Sequence, residues 1–402
     1  MIDIDKLYKI ALENAHLTSE YKKRFFCGEI ESLLGMVGRK NILLSGLRGI
    51  GKTTAMLQLF RENKDSFYFS ADSILVRSET LFSIVEELYR NGYSTIFIDE
   101  IHKYPKWVDE LKNIFDSFNV TVVASGSSTA AIKKGGIVLG RRAILFDAKP
   151  MSLGEFVYLS TGNRYVATLE DALDKKKAIE WVALHHDTER YYREYLKHGG
   201  FPINIEESIK QKSIYQLVRK MIYEDALAEF SLTENKVDVA ERMLGFLALS
   251  KPGEFSYTSF SQLSGYSKST IHEVASMLKE LGLIRVIEEE TPKGKAKGSI
   301  KLLFSHPNLR VAFAEQIMTA PEEGALREEY FLFHAEGSGL HTSLPKKMKK
   351  TPDYLVSLKG KKVLFEIGGE NKTRKQLMGQ EGIILSGTSL LCLGFVQKTD
   401  QK

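Results

Sequence analysis

Gly46-Leu47-Arg48-Gly49-Ile50-Gly51-Lys52-Thr53 is the stretch whose reading decides the fold. It fits the spacing G-x-x-x-x-G-K-[ST], in which glycines let backbone amides point inward around phosphate oxygens while the lysine reaches the outer ones. The run before it, Lys40–Ser45 (KNILLS), has the pattern of a buried strand, and Thr53–Asn63 after it has a helical period. Strand, glycine loop and helix is the context the motif requires, and the helix N-terminus adds its dipole to an anion site. The nucleotide-binding residues expected here are Gly46, Gly49, Gly51, Lys52, Thr53 and Thr54, with the Thr53 hydroxyl on Mg²⁺.

Outward from the loop, short apolar runs alternate with helical periods over the first 150 residues. Phe67–Ser70, Thr95–Asp99 and Val120–Ser125 read as further strands; Thr80–Asn91 and Trp107–Phe118 read as helices. Such alternation predicts an α/β fold with a parallel sheet and a ligand at the carboxyl ends of its strands. Thr95–Glu100 (TIFIDE) is an apolar strand ending in two carboxylates. Asp99 is expected to share the Mg²⁺ with Thr53, and Glu100 to act as general base on the attacking water. An Asp-Glu strand end is by itself ordinary; the upstream loop makes the catalytic reading the stronger one. Ser125-Gly126-Ser127-Ser128 puts small polar groups where a γ-phosphate sensor would sit, although Ser-Gly runs are also common turn chemistry.

Composition narrows the class. The 402 residues are 43% hydrophobic and 27% charged, which excludes disordered and fibrous readings. No stretch approaches the roughly 18 uninterrupted apolar residues of a membrane helix. The opening MIDIDKLYKIALENA is a charged amphipathic run without a signal peptide's apolar core. Cys27 and Cys392 are isolated thiols, so a reducing, cytoplasmic setting is expected rather than a disulfide scaffold. Net charge is only +5, but residues 341–375 carry ten Lys and Arg against Asp353, Glu366 and Glu370. Thr291–Lys301 adds four Lys and no acid. A charge run is commonly just a solvated face; two of them in one half make the chain electrostatically lopsided.

FIDEIHKYPKWVDELKNIFD, ASGSS, LGRR and PMSLGEFVYL, in that order after the phosphate loop, resemble a group of bacterial and archaeal AAA+ ATPases. Tyr195–Pro202 (YLKHGGFP) resembles the start of that group's C-terminal half. The resemblance implies ATP and Mg²⁺ as ligands. It also implies an AAA+-type P-loop sheet with a helical lid, a winged helix and a C-terminal α+β domain of restriction-endonuclease type. In this sequence the boundaries would be 1–152, 153–233, 234–305 and 306–402. It further implies Ser127 or Ser128 as the phosphate sensor, and Arg141 or Arg142 as an arginine finger reaching the nucleotide of a second copy. Of these, Ser127 and Arg141 are taken as the candidates. Guanidinium suits charge developing on a transferring phosphoryl group, but an Arg pair after glycine is also a common surface feature.

In the C-terminal half, Val237–Ser250 has a helical period, Thr258–Leu263 starts a short helix, and Ser267 caps a third that runs to Gly282. Leu283–Glu289 and Ile300–Phe304 follow as strands around a Pro292–Gly298 loop. Helix–turn–helix plus hairpin reads as a winged helix. DNA is the expected partner, with Lys268 at the third helix's start and Lys293, Lys295 and Lys297 at the hairpin tip on phosphates. Glu273, Glu280 and Glu288–Glu290 keep a protein-interaction role open, in which case the chain is a nucleotide-switched adaptor. Farther on, Asp353 and Glu366 flank a turn at Lys359-Gly360, and Glu328 lies on a preceding helix. These resemble the restriction-endonuclease acids, with one departure: Gly368 stands where that pattern has lysine. Without that cation the expectation is a remnant that does not cleave, unless Lys372 or Lys375 reaches back.

Overall fold

Five runs of β-branched, aromatic and aliphatic residues, each five residues long, form one parallel sheet: β1 (Asn41–Ser45), β2 (Ser66–Ser70), β3 (Thr95–Asp99), β4 (Thr121–Ser125) and β5 (Ala143–Asp147). The computed structural model describes residues 3–36, 40–206, 210–230, 232–290, 299–346, 351–369, 377 and 381–397. Strand order is β2-β3-β4-β1-β5, so β1 is central and β4 stands between it and β3. That order brings the carboxyl ends of β1, β3 and β4 together, where a doubly wound sheet binds its ligand. Around it lie α1 (Ile4–Leu17), α2 (Phe25–Leu34), α3 (Lys52–Glu62), α4 (Leu81–Arg90), α5 (Trp107–Ser117) and α6 (Thr129–Leu139). Strands buried on both faces need continuous apolar runs. Leu43, Phe67, Ile96, Ile98, Val122 and Ala124 accordingly pack on Leu81, Ile84, Leu88, Leu111 and Ile114 from the helices. β5 is absent from the sequence expectation. It is an edge strand whose five residues are all partly accessible, and its short apolar run follows an Arg pair, so the burial signal is weak.

By contacts the chain divides into two units. Unit 1 is residues 1–149 with 224–229, and unit 2 is residues 150–223 with 230–402. Unit 2 begins with α7 (Leu153–Thr161), α8 (Leu169–Leu173), α9 (Lys175–Leu184), α10 (Thr188–His198) and α11 (Ile203–Glu206). Next come α12 (Lys210–Lys220), a π-helical turn (Met221–Ala226) and α13 (Leu227–Phe230). Three more helices, α14 (Glu234–Leu249), α15 (Tyr257–Ser264) and α16 (Lys268–Glu280), lead into the antiparallel pair β6 (Ile284–Glu288) and β7 (Ile300–Phe304). Ser267 caps α16, accepting from Thr270 N–H, as its position before the apolar period predicts.

After α17 (Pro307–Gln316) and α18 (Glu323–Gly337) come β8 (His341–Ser343), β9 (Tyr354–Leu358), β10 (Lys361–Gly368), β11 (Gly382–Ser386) and α19 (Thr388–Leu393). The sheet order is β11-β10-β9-β8, with β10 and β11 parallel and the other pairs antiparallel. β9 and β10 are joined at Lys359 (φ 48°) and Gly360 (φ 76°), both left-handed, as a two-residue hairpin turn requires. One apolar cluster includes Leu153, Phe156, Trp181, Tyr195, Tyr330, Phe331, Phe365 and Phe395, so α7–α10 share a core with α18 and the second sheet.

Two buried histidines stitch that core. His334 Nε2 accepts from Leu153 N–H at 3.2 Å and Nδ1 faces the Tyr330 carbonyl at 2.9 Å. His306 Nδ1 accepts from Asn308 N–H at 3.2 Å, and Nε2 meets the Tyr195 hydroxyl at 2.8 Å. Each ring accepts from an N–H and must be neutral. Burial lowers the His334 pKa to about 3 and moves His306 well below 6.5. Because the folded pKa values lie below the unfolded one, their stabilisation is complete above pH 6.5 and declines as pH falls toward the folded values. Unit 2 is expected to lose about 1.4 kcal/mol per pH unit per histidine below pH 6.5. Urea midpoints followed by Trp181 fluorescence in a Trp107→Phe background, between pH 7 and 5, check this. A flat profile would contradict neutral, buried rings.

Candidate nucleotide site

The phosphate loop leaves the carboxyl end of β1 and is shaped by its glycines. Gly46 (φ 142°), Gly49 (φ 79°) and Gly51 (φ 90°) all have positive φ, and a Cβ on Gly46 would lie 2.3 Å from the Ala148 carbonyl oxygen. Gly51 is the N-cap of α3, so the amides of Lys52, Thr53 and Thr54 in its first turn have no intrahelical acceptor. Lys52 curls into the loop, its Nζ donating to the Gly46 and Leu47 carbonyls at 2.7 and 3.0 Å. Burial lowers its pKa to about 8, against the pull of Glu100 and Asp99. Arg24, buried beneath, donates to the Ile50 and Lys149 carbonyls.

Asp99 ends β3 facing α3. Its Oδ2 accepts from Thr53 Oγ1 at 2.6 Å and Tyr68 Oη at 3.0 Å; its Oδ1 accepts from Ser125 Oγ and from Glu100 N–H at 3.0 Å. Thr53 and Asp99, expected to share Mg²⁺, are therefore in direct contact. Glu100 follows with φ 52°, a left-handed turn unusual for a residue with a side chain, and its Oε2 accepts from Ser127 Oγ at 3.0 Å. Burial and Asp99 raise the Glu100 pKa, with Lys52, Ser127 and Arg48 opposing. Ser127 thus meets the candidate base directly, whereas Ser128 caps α6 through Ala131 N–H.

Sequence reading overlooked several neighbours. Arg48 forms a fork with Asp225, Nε to Oδ2 at 2.9 Å and Nη2 to Oδ1 at 2.6 Å. Arg48 fills a variable position of the motif, and nothing near Asp225 in sequence signals a partner 177 residues away. His102 Nδ1 lies 3.4 Å from Glu100 Oε2, and its Nε2 lies 4.0 Å from Asp225 Oδ1. Burial lowers its pKa to about 4, which keeps it neutral. Tyr68, midway along β2, carries no motif signal; Ser125 ends β4 and opens the Ser-Gly run read for a phosphate sensor, but its contact is Asp99.

Other expected residues lie elsewhere. Arg141 and Arg142 precede β5, whose Ala143 pairs with Asn41 at the start of β1. A strand of five residues, roughly 16 Å, separates that end of the sheet from the phosphate loop. Arg142 is held bidentately by Asp116 at 3.0 Å, and the Arg141 side chain is exposed. Neither Arg joins the site of its own chain. Lys268 is exposed in the first turn of α16; Lys293, Lys295 and Lys297 lie outside the described residues. Glu328 and Glu366 are buried. Glu328 Oε2 accepts from Lys301 Nζ at 2.7 Å and from the Tyr354 hydroxyl, and Asp353 Oδ2 accepts from Ile367 N–H at 2.8 Å. Glu328 is thus paired with Lys301 on β7; Lys372 and Lys375 lie outside the described residues. Among the described residues, no group of three or more His, Cys, Asp or Glu is arranged to hold a metal ion.

Comparison with known proteins agrees with the first sheet. Residues 38–157 match the sequence profile of an AAA domain. The match supports a P-loop ATPase. Residues 189–316 match a domain of unknown function (DUF8612). An uncharacterized protein of Methanocaldococcus jannaschii, MJ1637, is 25% identical over 370 residues, 84% of this chain and 77% of that protein. Among solved structures, the Walker-type ATPase PABY2304 of Pyrococcus abyssi aligns with a TM-score of 0.44 and 11% identity, over 73% of this chain and 95% of its own. The Aeropyrum pernix ORC1 protein in complex with DNA aligns with a TM-score of 0.31 and 16% identity, over 74% and 94%. At these scores neither solved structure bears on chemistry. Among the described residues, no helix is long and apolar enough to cross a membrane.

Proposed function

We propose that this protein binds ATP with Mg²⁺ at Gly46–Thr54 and Asp99, hydrolyses it slowly, and couples nucleotide state to DNA through its C-terminal half. One observation carries the nucleotide reading: the 2.6 Å contact of Thr53 Oγ1 with Asp99 Oδ2, beside a loop whose lysine already points inward. A hydroxyl and a carboxylate suit a hard cation, and the ammonium and free helix amides suit phosphate. Mg²⁺ held there supplies positive charge against the outer phosphate oxygens. Lys52 exchanges its two carbonyl partners for phosphate oxygens. Glu100 Oε takes the proton of the attacking water, and its burial makes it the stronger base. Ser127 fixes the Glu100 carboxylate. Turnover is slow in a single chain because the arginine we assign to the charge developing on the transferring phosphoryl group is Arg141 of a second copy.

For DNA, the α14–α16 helices with β6 and β7 support a winged-helix reading, and the basic runs supply charge. Binding to a short mixed-sequence duplex is expected to follow salt with a log–log slope of about −0.9 per phosphate contacted. Replacing Lys293, Lys295 and Lys297 by Glu should weaken it severalfold at low salt. The same DNA should stay intact with Mg²⁺ or Mn²⁺, since Gly368 stands where the nuclease pattern has lysine and Glu328 is already paired with Lys301. Equal binding by the triple variant would remove the hairpin as the contact. No binding by the parent would favour the adaptor, and cleavage abolished by Asp353→Ala would revive the nuclease.

A further inference from the structure

Residues 224–229 belong by contact to unit 1, although the chain on both sides of them belongs to unit 2. Asp225 ties this segment to the phosphate loop. Its side chain is fully buried, and it takes both Arg48 contacts of the guanidinium fork. Arg48 Nη2 also reaches Glu224 at 3.2 Å, and Lys134 on α6 lies 3.9 Å from Glu229. Asp225 sits on the π-helical turn Met221–Ala226, a wider turn that interrupts the α-helical register.

Arg48 is the sole arginine of the Gly46–Thr53 loop. It stands between Leu47, whose carbonyl holds Lys52 Nζ, and Gly49, which turns the loop. Its Nη2 is held by Asp225 Oδ1, the same oxygen that faces His102, so the guanidinium lies on the side of the loop that leads to Glu100. His102 bridges the same space, 3.4 Å from Glu100 and 4.0 Å from Asp225. Arg48 thus has a resident partner, Asp225, and on the nucleotide reading a second suitor, the γ-phosphate.

We propose that Arg48 is the residue that distinguishes triphosphate from diphosphate, and that Asp225 is its built-in competitor, so that the γ-phosphate loosens segment 224–229. This rests on the reading of Gly46–Thr54 as an ATP site. An oxyanion with several charges draws a guanidinium strongly, as bidentate pairing with phosphate does in general. A fully buried carboxylate that loses its partner is heavily penalised. Arg48 therefore turns to phosphate only as Asp225 moves out to water or to a new partner, carrying the turn with it. Coupling runs both ways: whatever pulls 224–229 away frees Arg48 for the nucleotide. Diphosphate lacks the outer group and leaves the fork closed.

The test uses the full chain with a non-hydrolysable ATP analogue and with ADP, reading affinity by calorimetry and amide exchange over 221–230. In the parent, the analogue should speed exchange in this segment and ADP should not. Asp225→Asn should exchange quickly whatever the nucleotide and bind the analogue about five- to tenfold more tightly, since no competitor is displaced. Arg48→Gln should release the segment equally but bind the analogue more weakly, and lose its preference over ADP. Opposite shifts in affinity with the same shift in exchange are not what general destabilisation produces. If Asp225→Asn does not fold, Arg48→Lys serves: it keeps the charge, cannot form the fork, and should exchange quickly while retaining the analogue. Exchange insensitive to an analogue that does bind, or both variants weakened alike, overturns the proposal. A parent that binds neither nucleotide overturns the ATP reading beneath it instead.

Discussion

Lys52→Ala is expected to bind ATP about a hundredfold more weakly than the parent, and to release no measurable phosphate. A charge-assisted hydrogen bond contributes roughly 1.5–3 kcal/mol, and on the nucleotide reading this ammonium exchanges two carbonyls for phosphate oxygens. The fold should survive, because the variant removes a buried charge and leaves two carbonyls in a loop open to solvent exchange. Glu100→Gln separates binding from chemistry. The amide keeps the shape and can still meet Ser127, so affinity should stay within a fewfold, while turnover drops by about 10²–10⁴ with loss of the base. Calorimetric titration with ATP and a phosphate-release assay check both. Normal turnover in the pair would remove these residues from the catalytic site, and normal binding by Lys52→Ala would remove the loop.

Arg310→Met is expected to cost unit 2 about 3–5 kcal/mol, the loss typical when one member of a buried ion pair is deleted. Arg310 is 1% exposed and Glu329 is fully buried. Arg310 donates to both Glu329 oxygens at 2.7–3.0 Å and to the Leu247, Ala248 and Ser250 carbonyls. It joins α17 to α18 and to the end of α14, where the helix runs out of backbone N–H donors for its last carbonyls. A unit of this size should melt roughly 10 °C lower. Arg310→Met combined with Glu329→Leu should recover part of the loss, because no carboxylate is then stranded, though the three carbonyls still lack their donor. A single variant melting within a degree or two of the parent would show the pair to be dispensable.

What could be read in advance was what the chain states locally. The phosphate loop, β3 ending at Asp99, β7 at Ile300–Phe304 and the Lys359-Gly360 turn each depend on residues within a few positions of one another. Their backbone demands, positive φ or a run of buried β-branched residues, show in composition. Arg48 with Asp225, Lys301 with Glu328, and Arg310 with Glu329 were illegible because a charged residue's partner is set by how elements pack. Asp225 in particular sits in a helical run with no motif around it. β5 escaped for a different reason: at the sheet edge all five of its residues are partly accessible, so it lacks a burial pattern. Arg142 shows both limits at once, a motif residue whose actual partner, Asp116, comes from α5.

The way the two units are threaded has a consequence for a ribosome making this chain from its amino end. All five strands of the first sheet exist once residue 147 has been added, yet Arg48 has no Asp225 until some 75 residues later. The second unit waits longer still. Gly154 N–H bonds to the Gly394 carbonyl at 3.0 Å and Ala167 N–H to Phe395 at 3.1 Å, so these two bonds wait for residues about 230–240 positions farther along. Until those residues emerge the apolar faces of α7–α10 lack the part of their core that α18, the second sheet and α19 supply, and shielding them falls to the ribosome surface or to chaperones.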